Sequence, residues 1–198
     1  MSELSILIAD DEALIRLDIK EILQGAGHIV CGEAKSGAKA VELAKSLAPD
    51  LAILDVMMPG LDGLEAAKIF HSMNIPVLLL TAYSQPKYIN RAEKVSVYGY
   101  LVKPITERDL LPAIQIAYAR WREMQDIRQK LEHTQHELHS QKLIAHARAI
   151  LAARDGVSDY EAHQWLIHQA MNLRMTVVKL AADIVNDAAE KILMKLKE

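Results

Sequence analysis

Cysteine occurs once in this chain, at Cys31, so an internal disulfide and every cysteine-built zinc framework are excluded. No apolar run approaches the roughly 20 residues that a bilayer-spanning helix needs. The start, MSELSILIADDE, lacks the basic region and cleavage site of a secretory leader, and the expected location is the cytoplasm. Positive charge is in short supply: 23 Lys and Arg stand against 26 Asp and Glu, a formal net charge of −3. That excludes a broad basic surface, so any nucleic acid must be met by a local patch. Glycine is missing between residues 107 and 154, where Pro112 is the one proline. A stretch so free of breakers reads as a long helix.

What is present divides the 198 residues into two textures. Up to about residue 105, short apolar runs alternate with amphipathic stretches. LSILIAD, HIVCGEA, DLAILD, IPVLLLTA and VYGYLVK are five strand candidates. Cys31 falls in the second and is expected to be a buried small hydrophobe. Between strands lie helical patterns such as Leu14, Leu17, Ile22 and Leu23, then Ala40, Val41, Ala44 and Leu47. The first, third and fourth strands are apolar almost to their ends, as parallel strands covered on both faces must be. The fold class that follows is α/β, an open, doubly wound, five-stranded parallel sheet.

In such a sheet, ligands sit beyond the C-terminal strand ends. Here those ends carry Asp10 and Asp11 with Glu12 next, then Asp55, Thr81, and Lys103 followed by Pro104. Carboxylates brought together repel, so a cation must compensate them, and oxygen ligands of this kind suit Mg²⁺. A carboxylate beside that ion can attack phosphorus. A hydroxyl and an ammonium can then balance charge on the transferred phosphoryl oxygens.

The segments ILIADDE, LAILDVMMPGLDGLE, PVLLLTA and GYLVKPI resemble the receiver domain of two-component response regulators, over residues 1–120, a flavodoxin-like fold. The resemblance implies that Asp55 accepts a phosphoryl group from a cognate sensor histidine kinase. It implies that Asp10, Asp11, Asp55 and the backbone carbonyl of Met57 hold Mg²⁺. Thr81 would be the switch hydroxyl, Lys103 the phosphate-sensing cation and Tyr100 the switch aromatic. Pro59, Gly60 and Gly63 fit the turn after the phosphorylated strand, where glycine permits positive φ. Such a domain acts only on itself, taking up and hydrolysing its own phosphoryl group, and is a switch rather than an enzyme with an external substrate.

The second texture starts with TERD, where Thr106 can cap a helix with Asp109 three residues on. Ile114, Ala117, Trp121, Met124, Leu131 and Leu138 approximate a heptad seam, interrupted by Arg128 and Gln135. A coiled-coil linker over 112–142 is expected, pairing two copies of the chain. Gly156 ends that helix, and Ser158 with Glu161 caps the next, whose apolar face is Ala162, Leu166, Ala170 and Leu173. Thr176 caps a third with Val177, Leu180, Ala181, Ile184 and Ala188 inside. A helix pair of this kind could read DNA, bind RNA or simply dimerise. The outward face of the third helix carries Lys179, Ala182, Asp183, Asn186, Asp187 and Glu190, too acidic to meet DNA phosphates readily. The residue types suited to RNA loops are Arg148, Arg154, His163, Gln164, His168, Asn172 and Arg174. Trp165 borders the apolar stripe and is assigned to the core, as is Met171.

The run AILAARDGVSDYEAHQWLIHQAMNLRMTVVKLAADIV resembles the ANTAR domain, a three-helix output module of transcription antiterminators, over residues 137–198. That resemblance implies RNA hairpins in leader transcripts as the ligand, with Arg174 and Asn172 in its best-matched part. It favours RNA over duplex DNA and over a protein-interaction output.

Overall fold

The computed structural model describes residues 3–82 and 97–195, with backbone alone at 189 and 191–195. It divides into two compact units, 1–125 and 126–198. The first holds strands β1 (Ser5–Ala9), β2 (Ile29–Ala34), β3 (Leu51–Asp55), β4 (Val77–Thr81) and β5 (Gly99–Val102). Its helices are α1 (Ala13–Gly25), α2 (Gly37–Leu47) and α3 (Gly63–Ser72), and it takes the beginning of α4 (Glu107–Asp155). The segment joining β4 to β5 lies outside the described residues. The strands are all parallel, in the order β2-β1-β3-β4-β5. This is the flavodoxin-like order, which needs crossovers on both faces of the sheet.

Strand alternation explains the apolar runs. Leu7, Ala9, Ala52, Leu54, Val77 and Leu79 point to one face, where Ala40, Val41 and Ala44 of α2 meet Leu64, Ala67 and Phe70 of α3. Ile6, Ile8, Leu51, Ile53, Leu78 and Leu80 point to the other, against Ile19 and Leu23 of α1 and Leu110, Ile114 and Ala117 of α4. Both sides being covered, a polar residue within these strands would be buried without a partner. The edge strand β2 is only partly covered. It bulges where Ile6 pairs Val30 and Leu7 pairs Gly32, skipping Cys31. That cysteine is half-buried rather than buried, because the bulge leaves it out of the ladder.

The amphipathic helices form where expected, but not every apolar residue faces inward. Leu14, Leu17 and Leu47 are exposed, and α1 turns Ile19 and Leu23 to the sheet instead. At the start of α4 the Thr106 hydroxyl donates to the Asp109 carboxylate at 2.6 Å, so the two side chains bond each other at the cap.

The second unit contains the remainder of α4, then α5 (Asp159–Asn172) and α6 (Val177–Lys195). Small residues make its core dense: Ala147, Ala162, Ala170 and Ala181 lie among Leu151, Leu166 and Leu180. Ser158 and Glu161 form a reciprocal capping box at the start of α5, and the Thr176 hydroxyl accepts the Lys179 N–H at 3.2 Å at the start of α6. Leu173, expected inside, is exposed, and Met175 packs against the core in its place. Along α4, Met124, Ile127, Leu131 and Leu138 are exposed to solvent in the single chain, whereas Ile114 and Ala117 are buried in the first unit's core. Among the described residues no helix is long and apolar enough to cross a membrane.

Candidate functional site

Asp10 follows β1 and Asp55 closes β3, so adjacent parallel strands deliver both carboxylates to the same sheet edge. Thr81 ends β4, and Lys103 follows β5. Asp10, Asp55 and Thr81 are buried while Asp11 is exposed. Ligand oxygens of Asp10, Asp11 and Asp55 lie within 4.8 Å of one another. Lys103 Nζ stands 2.6 Å from Asp10 Oδ2 and 3.0 Å from Asp55 Oδ1, with Glu12 Oε1 at 3.9 Å. The remaining carboxylate oxygens accept backbone N–H groups, Asp55 Oδ2 from Met57 at 2.9 Å and Asp10 Oδ1 from Glu12 at 3.0 Å.

These distances set the electrostatics. Burial pushes the Asp55 carboxyl up, and the Asp10 charge adds to the rise. Lys103 and the Met57 N–H offset part of it. Burial alone would lower Lys103, but its hydrogen bonds and charge contacts with Asp10 and Asp55 outweigh that and leave its pKa raised. One ammonium therefore serves two buried carboxylates, and negative charge remains for a cation to meet.

The turn after β3 is shaped by glycines for two different reasons. Gly60 adopts φ +78°, the left-handed region that an L side chain resists. Gly63 does not. A Cβ there would lie 2.0 Å from the Asp55 carbonyl oxygen, because α3 starts directly against the end of β3. The Gly63 N–H also donates to the Val56 carbonyl at 3.0 Å. Tyr100, on β5, is half exposed.

In the second unit the seven expected RNA contacts separate into groups. Gln164, His168 and Asn172 are exposed on one side of α5, and Arg174 is exposed in the turn after it. The Asn172 amide nitrogen lies 3.1 Å from His168 Nδ1. Arg148 is instead bound to Asp159, its Nε donating at 2.8 Å, and Arg154 to Asp155 through two bonds of 2.7 and 2.8 Å. His163 is half-buried, with Nδ1 shielded from solvent and without a hydrogen-bond partner among the described residues. Two residues assigned to the core belong to the surface. Trp165 is 41% exposed and Met171 73%, because Ala162, Leu166 and Ala170 already fill the inward face of α5. Tyr160, passed over in the sequence, is 71% exposed on the same helix. Its signal was available as the i, i+4 series Tyr160, Gln164, His168, Asn172.

Arg174 has φ +53°. Its N–H donates to the Met171 carbonyl at 3.1 Å and the Met175 N–H to the Ala170 carbonyl at 3.0 Å, the two bonds of a Schellman ending. Glycine is the usual residue at that position, and an arginine there has no backbone advantage.

Comparison with known proteins matches residues 6–115 to the response regulator receiver domain and residues 132–185 to the ANTAR domain. The transcriptional regulatory protein PdtaR of Mycobacterium tuberculosis is 40% identical over 91% of this chain and 88% of its own length. Chemotaxis protein CheY of Thermotoga maritima is 33% identical over 55% of this chain and 92% of its own. Among solved structures, the signal receiver domain of a modulated diguanylate cyclase from Desulfovibrio desulfuricans has a TM-score of 0.59 at 30% identity, covering 62% of this chain and 99% of that one. The chain thus belongs to the response regulators, with a receiver domain followed by an ANTAR domain.

Proposed function

We propose that this response regulator is activated by phosphorylation of Asp55 and then binds RNA hairpins in leader transcripts, preventing transcription termination. A cognate histidine kinase supplies the phosphoryl group. Asp10, Asp11, Asp55 and the Met57 carbonyl would hold Mg²⁺, and the clustered carboxylate oxygens fit that hard cation. Bound there, the ion would neutralise the acids and the incoming phosphoryl charge. Asp55 is the nucleophile, its Oδ2 fixed by the Met57 N–H. Lys103 and Thr81 meet the transferred oxygens, and Tyr100 responds with Thr81 in the switch. The receiver acts on no external substrate.

The observation that carries the RNA reading is the contrast between the two tail helices. The exposed side of α5 presents Gln164, His168 and Asn172, leading to Arg174, whose guanidinium has no ion pair among the described residues. The exposed positions of α6 include Asp183, Asp187 and Glu190, which repel phosphate. The ANTAR match over 132–185 supports the same ligand class. Pairing of two copies along the exposed Met124, Leu131 and Leu138 of α4 would let one dimer hold two hairpins, raising affinity through effective concentration.

Equilibrium binding of the full chain to a hairpin-RNA pool and a duplex-DNA pool, at one salt concentration, tests this. The expected result is hairpin enrichment that requires a phosphodonor with Mg²⁺ and is lost in Asp55→Ala. Preference for duplex DNA, or binding to neither pool, overturns it.

A further inference from the structure

The proposed function leaves unexplained why the exposed side of α5 carries large rings. Tyr160 and Trp165 have substantial solvent exposure, and neither has an aromatic partner among the described residues. Tyr160 heads the ridge that Gln164, His168 and Asn172 continue at successive i+4 steps, and Trp165 stands beside it. Five positions in sequence place the rings about 7.5 Å apart along the axis and about 140° apart around it, Tyr160 at the head of that ridge and Trp165 flanking it. The acid on this side, Glu161, is engaged by Ser158, whose N–H and hydroxyl donate to Oε2 at 2.8 and 2.7 Å. Asp159 is engaged by Arg148.

An apolar protein partner would cover the rings but leave Gln164, His168 and Asn172 desolvated without partners, at a cost for each. Unpaired bases suit both kinds of group, since every base offers a π-face to stack and an edge to hydrogen-bond. With the Asn172 amide donating to His168 Nδ1, the neutral imidazole carries its proton on Nε2. The histidine is then a donor and the Asn172 carbonyl an acceptor for base edges. Arg174, at the end of the ridge, provides the positive charge that the adjoining phosphate needs.

We propose that Trp165 and Tyr160 stack on unpaired bases of the RNA loop, while Gln164, His168 and Asn172 read base edges along the same side of α5 and Arg174 holds a backbone phosphate. This rests on the RNA reading above and adds to it two stacking residues.

The test uses the full chain carrying Trp121→Phe, which leaves Trp165 as the sole tryptophan of the two in the sequence. Trp121 Nε1 is buried without a hydrogen-bond partner among the described residues, so this change removes no such bond. The phosphorylated protein is titrated with hairpin RNAs bearing randomised loops and with the same stems as blunt duplexes. Stacking is expected to quench Trp165 emission with hairpins alone. Trp165→Ala and Tyr160→Ala should each weaken binding by roughly 5- to 150-fold, with Trp165→Phe close to the parent. The highly exposed Tyr160 provides a variant whose fold is checked by circular dichroism should Trp165→Ala lose its own. Hairpin binding with unchanged emission and unaffected alanine variants overturns the stacking proposal and leaves the RNA reading standing. Alanine variants that alter the molecular mass in light scattering, but not RNA affinity, overturn it in favour of a protein contact. If the parent binds no hairpin, the RNA reading itself fails, and stacking fails with it.

Discussion

Lys103 Nζ lies 2.6 Å from Asp10 Oδ2, and Asp10 is completely buried. The same ammonium reaches Asp55 at 3.0 Å, so it compensates two acids that would otherwise face each other without a cation. Lys103→Met should therefore destabilise the folded protein by about 3 kcal/mol at neutral pH without divalent cations, the usual cost of breaking a buried pair. Because Lys103 holds the Asp55 pKa down, its loss raises that pKa further. The penalty is then absent at low pH, grows as pH rises from the parent's Asp55 pKa to the new value, and levels off above it. Chemical denaturation at several pH values, with and without Mg²⁺, measures it; equal stability at all of them would contradict the assignment.

Asp55 itself predicts a second pH effect. Burial, first, and Asp10 raise its pKa above the ordinary range despite Lys103. The folded state thus keeps the proton to higher pH than the unfolded state, and stability falls as pH rises from about 4 through the folded pKa. Asp55→Asn cannot ionise. It should lack this fall, melt above the parent at neutral pH without divalent cations, and take up no phosphoryl group from a small phosphodonor.

Gly63→Ala should be damaging although Gly63 is an ordinary helical position. The new methyl would meet a backbone carbonyl, which cannot rotate away as a side chain can. A loss of roughly 1–3 kcal/mol is expected, together with slower phosphorylation because the carbonyl belongs to Asp55. Gly60→Ala lacks that clash and suffers only from its positive φ. Comparing melting temperatures and phosphorylation rates of the two variants separates steric from conformational cost.

At Arg174 the backbone and the side chain make opposite demands. Replacing an L residue at φ +53° with glycine relieves the left-handed strain, so Arg174→Gly should raise stability by up to about 1 kcal/mol. The same substitution removes the guanidinium and should weaken hairpin binding and lower its salt dependence. Thermal melts and binding at two salt concentrations give the two readouts; unchanged affinity would remove Arg174 from the interface.

Leu131→Asp places a charge in the exposed apolar stripe of α4, distant in sequence from the phosphorylation edge. It should leave phosphoryl uptake unchanged while abolishing pairing of two copies, read as the molecular mass of the phosphorylated protein in light scattering. Persistent dimerisation would exclude this stripe as the pairing surface.

The sheet edge was legible in the sequence because β1, β3 and β4 are covered on both sides, and such strands announce themselves as apolar runs ending in a polar residue. The helices were less so. Leu14, Leu17, Leu47 and Leu173 share the helical period of core residues but stay outside. Trp165 and Met171 were misplaced for a related reason: small alanines fill the inward face of α5, leaving the larger side chains outside, and local periodicity contains no information on volume. Arg148 meets an acid 11 residues away across a turn, a pairing that no single-helix pattern contains. Gly63 was recognised for the wrong property, since its need arises from a backbone approach that only coordinates reveal.

The double coverage of β1, β3 and β4 also governs how this protein can vary. A residue there has no solvent side on which to drift, and cutting a buried Leu or Ile to Ala costs about 2–5 kcal/mol whichever face it points to. Saturation mutagenesis should show three intolerant bands at 5–9, 51–55 and 77–81, with β2 permissive at Ile29 and Glu33 and β5 at alternate positions. Descendants of this chain can therefore change what they sense through the half-covered edges and exposed helices, while the ground beneath Asp55 stays almost fixed.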